Sequence, residues 1–313
     1  MRIAVLDDYQ GVAADYAAWE DLAADVVFVT RPVTDDDELV ALLADAEVVV
    51  AMRERTAFTA ARLKRLPALR LLVTTGKANA AIDLNAAKEC GVVVCGTESP
   101  STSTPELTWA LILAVLRNIP LEDAGIRNGG WQTTVGGDLA GRRLGVVGLG
   151  RLGAHVARIG AAFGMDVVAW SQNLDGARAA EAGVQAVSKD ELFRTSDVVT
   201  LHYKLSDRSR GIVGAAELAV MRPSSILVNT SRGPLIDTPA LIAALREHRI
   251  AGAGLDVFDV EPLPADDPLR AAPRTVLTPH LGYVTDGTYR VFYPQAVEAI
   301  TAWDAGNPIR RLV

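Results

Sequence analysis

Two cysteines, Cys90 and Cys95, are all that 313 residues contain, too few for a disulfide framework or for a zinc site of their own. Reduced thiols and no metal are the expectation. Aromatic residues make up only 5% of the chain, and no uncharged apolar run reaches the ~18 residues that suggest a transmembrane helix. A basic excess is also missing. Lys and Arg number 31 against 38 Asp and Glu, a net charge of −7. Nucleic-acid binders and proteins that lie on anionic membranes need a basic face, so neither partner is expected. A small anionic ligand in a locally positive cleft stays possible. The first residues, Met1 to Asp8, read as a strand and lack the apolar segment of a signal peptide, so a cytoplasmic setting is expected.

What is plentiful is alanine, valine and leucine. Half of the residues are hydrophobic, and the length exceeds one typical core, so two domains are the default. Residues 3–6, 26–29, 47–51, 69–74 and 92–95 read as strands with helical segments between them, such as 35–43 and 83–90. Repeated βα units imply a parallel sheet covered on both faces. Ligands in such sheets sit beyond the carboxyl ends of the strands. That draws attention to Met52-Arg53-Glu54-Arg55 and to Thr75-Gly76-Lys77-Ala78-Asn79. A polar linker, Glu98 to Pro105, leads into a helix expected to start at Pro105 and to be buried on more than one side, between domains or subunits. A second series of strands follows at 144–147, 167–170, 198–202, 226–229, 252–257 and 276–278. Ser188 has capping-box spacing, Thr238 is expected to cap a helix with Pro239 at its first position, and a last helix over 288–305 is expected to return to the first domain.

The second series opens on Leu144-Gly145-Val146-Val147-Gly148-Leu149-Gly150-Arg151-Leu152-Gly153. Gly148 allows a tight turn, Gly150 lets the backbone approach a ligand, and Gly153 lets helix and strand pack closely. Leu152, Val156, Ile159 and Phe163 give the following helix an apolar face. Its free N–H groups and positive dipole end suit a pyrophosphate. Three polar segments end later strands. Asn229-Thr230-Ser231-Arg232-Gly233-Pro234 carries an arginine, Asp256 to Pro262 carries Glu261, and Thr278-Pro279-His280-Leu281-Gly282 carries a histidine. Singly they read as a surface cation, a solvated acid and a core histidine. Together, beside a dinucleotide turn, they point to a catalytic cleft.

The set GLGRLG, NTSRGPLID, GLDVFDVEP and TPHLG resembles the NAD-dependent D-2-hydroxyacid dehydrogenase family, with glyoxylate/hydroxypyruvate reductases and phosphoglycerate dehydrogenases as relatives. Arg127-Asn128-Gly129-Gly130-Trp131 resembles that family's lead-in to the cofactor domain. The resemblance implies two doubly wound α/β domains: a Rossmann-type cofactor domain over 99–284, inserted in a flavodoxin-like substrate domain of 1–98 plus 285–313. It implies His280 as general acid/base, Glu261 as the partner that orients it, and Arg232 as the fork that binds the substrate carboxylate. It implies cofactor contacts at Thr104, Gly148, Gly150, Arg151, Leu152, Gly153, Ser171, Gln172, Asn173, His202, Thr230, Asp256 and Gly282. Substrate contacts are implied at Arg53, Lys77, Ala78 and Asn79, where the family more often has glycine in place of Ala78 and Asp-Asn in place of Ala80-Ala81. A homodimer is implied as well. The substrate is expected to be a small 2-keto or D-2-hydroxy acid, and a cationic Arg53 and Lys77 point to a dicarboxylate or phosphorylated one. The cofactor is expected to be NAD, with NADP left open. The acid that NAD enzymes place about 20 residues after the glycine turn is missing from Ser171-Gln172-Asn173, and Arg178 and Lys204 lie close enough in sequence to meet a 2′-phosphate. Two other readings remain beside this enzyme: an NAD(H)-sensing, corepressor-like binding protein, and a formate- or phosphite-type dehydrogenase.

Overall fold

A computed structural model describes residues 1–313. The chain divides into two compact units, Met1–Pro100 with Thr285–Val313, and Ser101–Val284.

The first unit is built on a parallel sheet of β1 (Arg2–Val5), β2 (Asp25–Phe28), β3 (Val48–Ala51), β4 (Leu71–Thr74) and β5 (Val93–Gly96), in the order β2-β1-β3-β4-β5. β3 and β4 are buried along their whole length, as unbroken apolar runs require when helices cover both faces. Asp35 and Asp83 cap the helices Asp36–Leu42 and Leu84–Glu89 by accepting the N–H groups of Glu38 (2.8 Å) and Ala86 (3.0 Å). The helix Asp286–Asp304 closes this unit, with Phe292, Tyr293, Ala296, Ala299 and Ile300 fully buried. The final residues then pair antiparallel with the free edge of β5, through Leu312 N to Val94 O at 2.7 Å and Gly96 N to Arg310 O at 2.9 Å. That covers an edge otherwise open to pairing with other chains.

The second unit holds β6 (Arg143–Val147), β7 (Asp166–Trp170), β8 (Gln185–Ala186), β9 (Val198–Leu201), β10 (Ile226–Asn229), β11 (Gly252–Leu255) and β12 (Thr275–Leu277). All pairings are parallel, in the order β12-β11-β10-β9-β6-β7-β8. The strand order reverses between β6 and β9, which opens a crevice at their carboxyl ends.

Several expectations are corrected. The helix expected from Pro105 spans Ser103–Leu116, so Pro105 is its third residue, where the missing N–H still has no intrahelical partner to lose. Inside its unit it is buried against β10, β11 and the helix Arg151–Ala162, as expected of a helix apolar nearly all round. Asp237, not Thr238, caps Thr238–Arg246, with Ala240 N 3.0 Å from its carboxylate. In Arg151–Ala162 the buried line is Gly153, Val156, Ala157 and Gly160. Phe163 stays partly exposed and lies against Trp109, ring centres 4.9 Å apart. The helix Ile119–Arg127 and the two-residue β8 were not anticipated. No helix is long and apolar enough to cross a membrane.

Since Phe292 is wholly enclosed, Phe292→Ala should destabilise the protein by about 3–5 kcal/mol. Urea unfolding followed by circular dichroism measures this, and a loss below about 1 kcal/mol would show that the helix does not anchor its sheet.

Candidate active site

The turn after β6 has the shape its glycines require. Gly148 has φ +98°, and a side chain there would press on the carbonyl oxygen of His202 at 2.5 Å. A methyl on Gly153 would collide with the Gly148 carbonyl. Around Gly150, by contrast, nothing lies within 4 Å of where a Cβ would stand. The helix Arg151–Ala162 begins there with no side-chain cap, so its first N–H groups are open to an anion. Gly148, Gly150, Ser171, Gln172, Asn173 and His202 line one cavity of about 320 Å³. Exposed Arg151 and half-buried Leu152 form the helix's first turn outside that lining. The residues therefore fit a dinucleotide: backbone donors at the bend, and space where the phosphates need it.

The catalytic candidates stand on three loops that leave adjacent strands. Asn229, fully buried at the end of β10, donates from Nδ2 to Arg232 O (2.8 Å) and accepts from Ser231 N (3.0 Å). Ser231 Oγ donates to Leu201 O at 2.7 Å. After β11, Glu261 accepts Phe258 N at 2.9 Å through Oε1 and meets His280 Nδ1 at 2.5 Å through Oε2. Burial opposes the charge on Glu261. The His280 hydrogen bond and charge, the Phe258 N–H and the Arg232 guanidinium outweigh it and hold the carboxyl below its usual range. The three side chains thus share one electrostatic neighbourhood. The Tyr283 ring stands edge-on to the imidazole, centres 5.4 Å apart.

Asp256 is the peg of the His280 turn. Fully buried, it accepts Thr278 Oγ1 (2.6 Å), Leu281 N (2.7 Å) and Gly282 N (2.9 Å), while its own carbonyl accepts His280 N (2.8 Å). Burial raises its pKa, against those donors and the nearby His280. Thr104 Oγ1 donates to Gly282 O (2.8 Å), and Thr230 shares a hydrogen bond with Thr108 Oγ1 (2.8 Å). Thr108 Oγ1 also donates to Thr104 O (2.8 Å), so Thr104, Thr230, Asp256 and Gly282 are joined to the turn that carries His280. The sequence reading left out two positioning residues, Asn229 and Thr108. The one available signal was a polar residue ending an otherwise apolar stretch.

In the first unit, the substrate candidates gather at the carboxyl ends of β3 and β4. Arg53 adopts φ +53°, donates N–H to Thr75 Oγ1 (2.9 Å) and Nη1–H to Thr75 O (3.2 Å), and occupies the space a Gly76 side chain would need. Asn79 is buried, and its side chain is engaged by Arg53 O, Thr74 Oγ1 and Ala81 N, which leaves its backbone for any ligand. Lys77 and Ala78 are exposed. Lys77 pairs with Glu98 at 2.6 Å, so the extra positive charge expected from it is matched locally. An unanticipated network fixes the neighbouring loop: Asp7 accepts Thr56 Oγ1 (2.8 Å) and Tyr9 OH (3.0 Å), and Arg55 donates to Asp7 O (2.8 Å).

Residues 109–282 match the family described as D-isomer specific 2-hydroxyacid dehydrogenase, NAD binding domain. The chain is 38% identical over 261 residues to a glyoxylate reductase of Aeropyrum pernix, covering 80% of this chain and 78% of that one. The chain belongs to the D-2-hydroxyacid dehydrogenase family. A D-3-phosphoglycerate dehydrogenase of Methanocaldococcus jannaschii is 37% identical over 254 residues, a match that spans 80% of this chain and about half (48%) of that enzyme. The crystal structure of a phosphoglycerate oxidoreductase from Vibrio cholerae superposes with TM-score 0.94 at 36% identity, covering 98% of this chain and 99% of that one. This dehydrogenase is accordingly an oxidoreductase of 2-hydroxy acids that works with a nicotinamide cofactor.

His202, beside the glycine bend, shares a hydrogen bond through Nε2 with Thr200 Oγ1 (3.0 Å), and its buried Nδ1 has no partner. Burial pushes its pKa from 6.5 down to about 4. The folded value lies below the unfolded one, so the unfolded chain takes up the proton first as pH falls. Stability from the neutral ring is complete above about 6.5 and is lost as pH drops toward 4. His202→Gln should remove that component. Between neutral pH and about pH 5 the wild type should lose about 2 kcal/mol more unfolding free energy than the variant, and parallel pH profiles would exclude a buried neutral imidazole.

Proposed function

We propose that Arg232, Glu261 and His280 carry the reaction on a small 2-keto acid or its D-2-hydroxy counterpart. The observation that carries this reading is the 2.5 Å contact of Glu261 Oε2 with His280 Nδ1. It fixes the ring's orientation, directs Nε2 to the substrate, and places a carboxylate where it balances the imidazolium. A nicotinamide, when bound, supplies or accepts the hydride at the substrate's C2. His280 Nε2 gives a proton to the C2 oxygen in reduction and takes it back in oxidation. Arg232 holds the carboxylate with its planar fork, a geometry that lysine lacks. The cofactor would lie on the bend at Gly148, Gly150 and Gly153. Ser171, Gln172, Asn173 and His202 would flank it, and Thr104, Thr230, Asp256 and Gly282 would shape its nicotinamide end. In the first unit, Arg53 and the backbone of Lys77, Ala78 and Asn79 suit a small anion.

His280→Ala should lower turnover by about 10²–10⁴-fold and change cofactor affinity little. The assay is reduced-cofactor consumption with glyoxylate, hydroxypyruvate, phenylpyruvate and 2-ketoglutarate. Near-normal turnover in the variant would remove His280 from this role, and silence of the wild type across the panel would favour a nucleotide-sensing protein.

We further propose a homodimer formed through Ile119–Arg127 and the segment after it. Ser103–Leu116 is enclosed in its own unit, whereas Ile119, Leu121, Ile126, Trp131 and Val135 are all more than half exposed. Ile119, Ile126 and Trp131 border a cavity of about 350 Å³. Grouped apolar exposure of this kind marks an association surface. Sedimentation should give a species of twice the 33.2 kDa chain mass, and Ile126→Glu with Trp131→Glu should reduce it to the monomer. A wild-type monomer at all accessible concentrations would reject the dimer.

A further inference from the structure

The cavity beyond the glycine bend has an unusual charge pattern for its position. It is closed on one side by the residues that follow β7 and on the other by those that follow β9. Ser171 Oγ accepts Leu149 N at 3.0 Å, and Tyr203 OH accepts Gln172 N at 3.2 Å. The rings of Trp170 and Tyr203 stack at 5.8 Å with an interplanar angle of 12°. These contacts hold the two walls in register and put Lys204 in the same lining as Gln172, Asn173 and Arg178. No carboxylate lines the cavity. The next acid in the chain, Asp175, is engaged as a helix cap by Arg178 N at 2.8 Å. Neither Arg178 nor Lys204 has an ion-pair partner, so both charges are open to a ligand, unlike Arg143, which pairs with Asp166, and Lys189, which pairs with Glu217.

At this place an acid that accepts the ribose hydroxyls selects the unphosphorylated dinucleotide and repels a 2′-phosphate, whereas a nearby arginine accommodates the phosphate. Here the acid is replaced by Ser171, and two unpaired cations stand within the same walls. We infer that this cavity is a 2′-phosphate subsite, and that the enzyme's preferred cofactor is NADP(H) rather than the expected NAD(H). The inference rests on the dinucleotide reading of the glycine bend. The adenosine end is recognised by charge from Arg178 and Lys204, while the polar amides and the Ser171 hydroxyl supply hydrogen bonds that do not discriminate.

Calorimetric titration with 2′,5′-ADP and with 5′-ADP tests it without turnover. The wild type should bind 2′,5′-ADP at least tenfold more tightly. The ratio of the two affinities should fall toward one in Arg178→Ala/Lys204→Ala and invert in Ser171→Asp, which restores the repelling charge. Equal affinities in the wild type, or a ratio unmoved in the double variant, would overturn the subsite. Failure of either nucleotide to bind would instead overturn the dinucleotide reading, and the subsite with it.

Discussion

The closeness of the helix Arg151–Ala162 to β6 is the constraint on which the second unit depends. The Gly148 carbonyl occupies the space a Gly153 side chain would take, and a Cβ on Gly160 would stand 2.6 Å from Leu144 Cδ2. The buried line of the helix is therefore made of small residues, Gly153, Ala157 and Gly160, around one Val156. That approach aims the first N–H groups of the helix at the crevice between β6 and β9, the point where strand order reverses. A larger side chain on this line would tilt the helix and move the anion-binding end, so packing and ligand binding are one requirement here. Gly148 meets the opposite wall, against the carbonyl of His202.

The catalytic candidates depend on sheet order in the same way. β10, β11 and β12 are consecutive neighbours, so their loops leave the sheet at intervals of about 4.8 Å. Arg232, Glu261 and His280, far apart in sequence, are brought together by that spacing. Buried polar groups then set their aim. Asn229 shapes the loop of Arg232, Asp256 shapes the turn of His280, and Phe258 N–H fixes one oxygen of Glu261 while the other faces the ring.

The legible part of this architecture was the part encoded locally. Apolar runs such as Val48–Ala51 and Ile226–Asn229 mark buried parallel strands, and the glycine spacing at 148, 150 and 153 marks the bend. Strand ends shifted by a residue or two because the ladder stops where pairing stops, not where hydrophobicity does. β8 was missed because two residues carry no period. Ile119–Arg127 was missed because its apolar residues point outward and leave no core-facing stripe. Asp237 was passed over for Thr238 because both side chains can cap a helix, and only the backbone decides which stands first. Thr108's bond to Thr230 and those of Thr56 and Arg55 to Asp7 join distant segments, which local pattern does not record, whereas Asn229 acts on its own loop, two and three residues on.

Three of the eight non-glycine residues with positive φ follow the carboxyl ends of strands. Asp7 follows β1 with φ +60°, Arg53 follows β3 with φ +53°, and His280 follows β12 with φ +54°. A left-handed conformation costs a side-chain-bearing residue about 1 kcal/mol or more, and persists where surrounding contacts over-determine it. Each of the three has such contacts. Thr56 and Tyr9 bind Asp7, Thr75 and Asn79 bracket Arg53, and Asp256 accepts the His280 N–H. Glycine would adopt these angles without strain, yet it would lose the carboxylate, guanidinium or imidazole that each position presents. The candidates Arg53 and His280 thus stand at strand ends with polar groups behind them that enforce the turn, whereas the buried Asp7 carboxylate is engaged in holding the neighbouring loop.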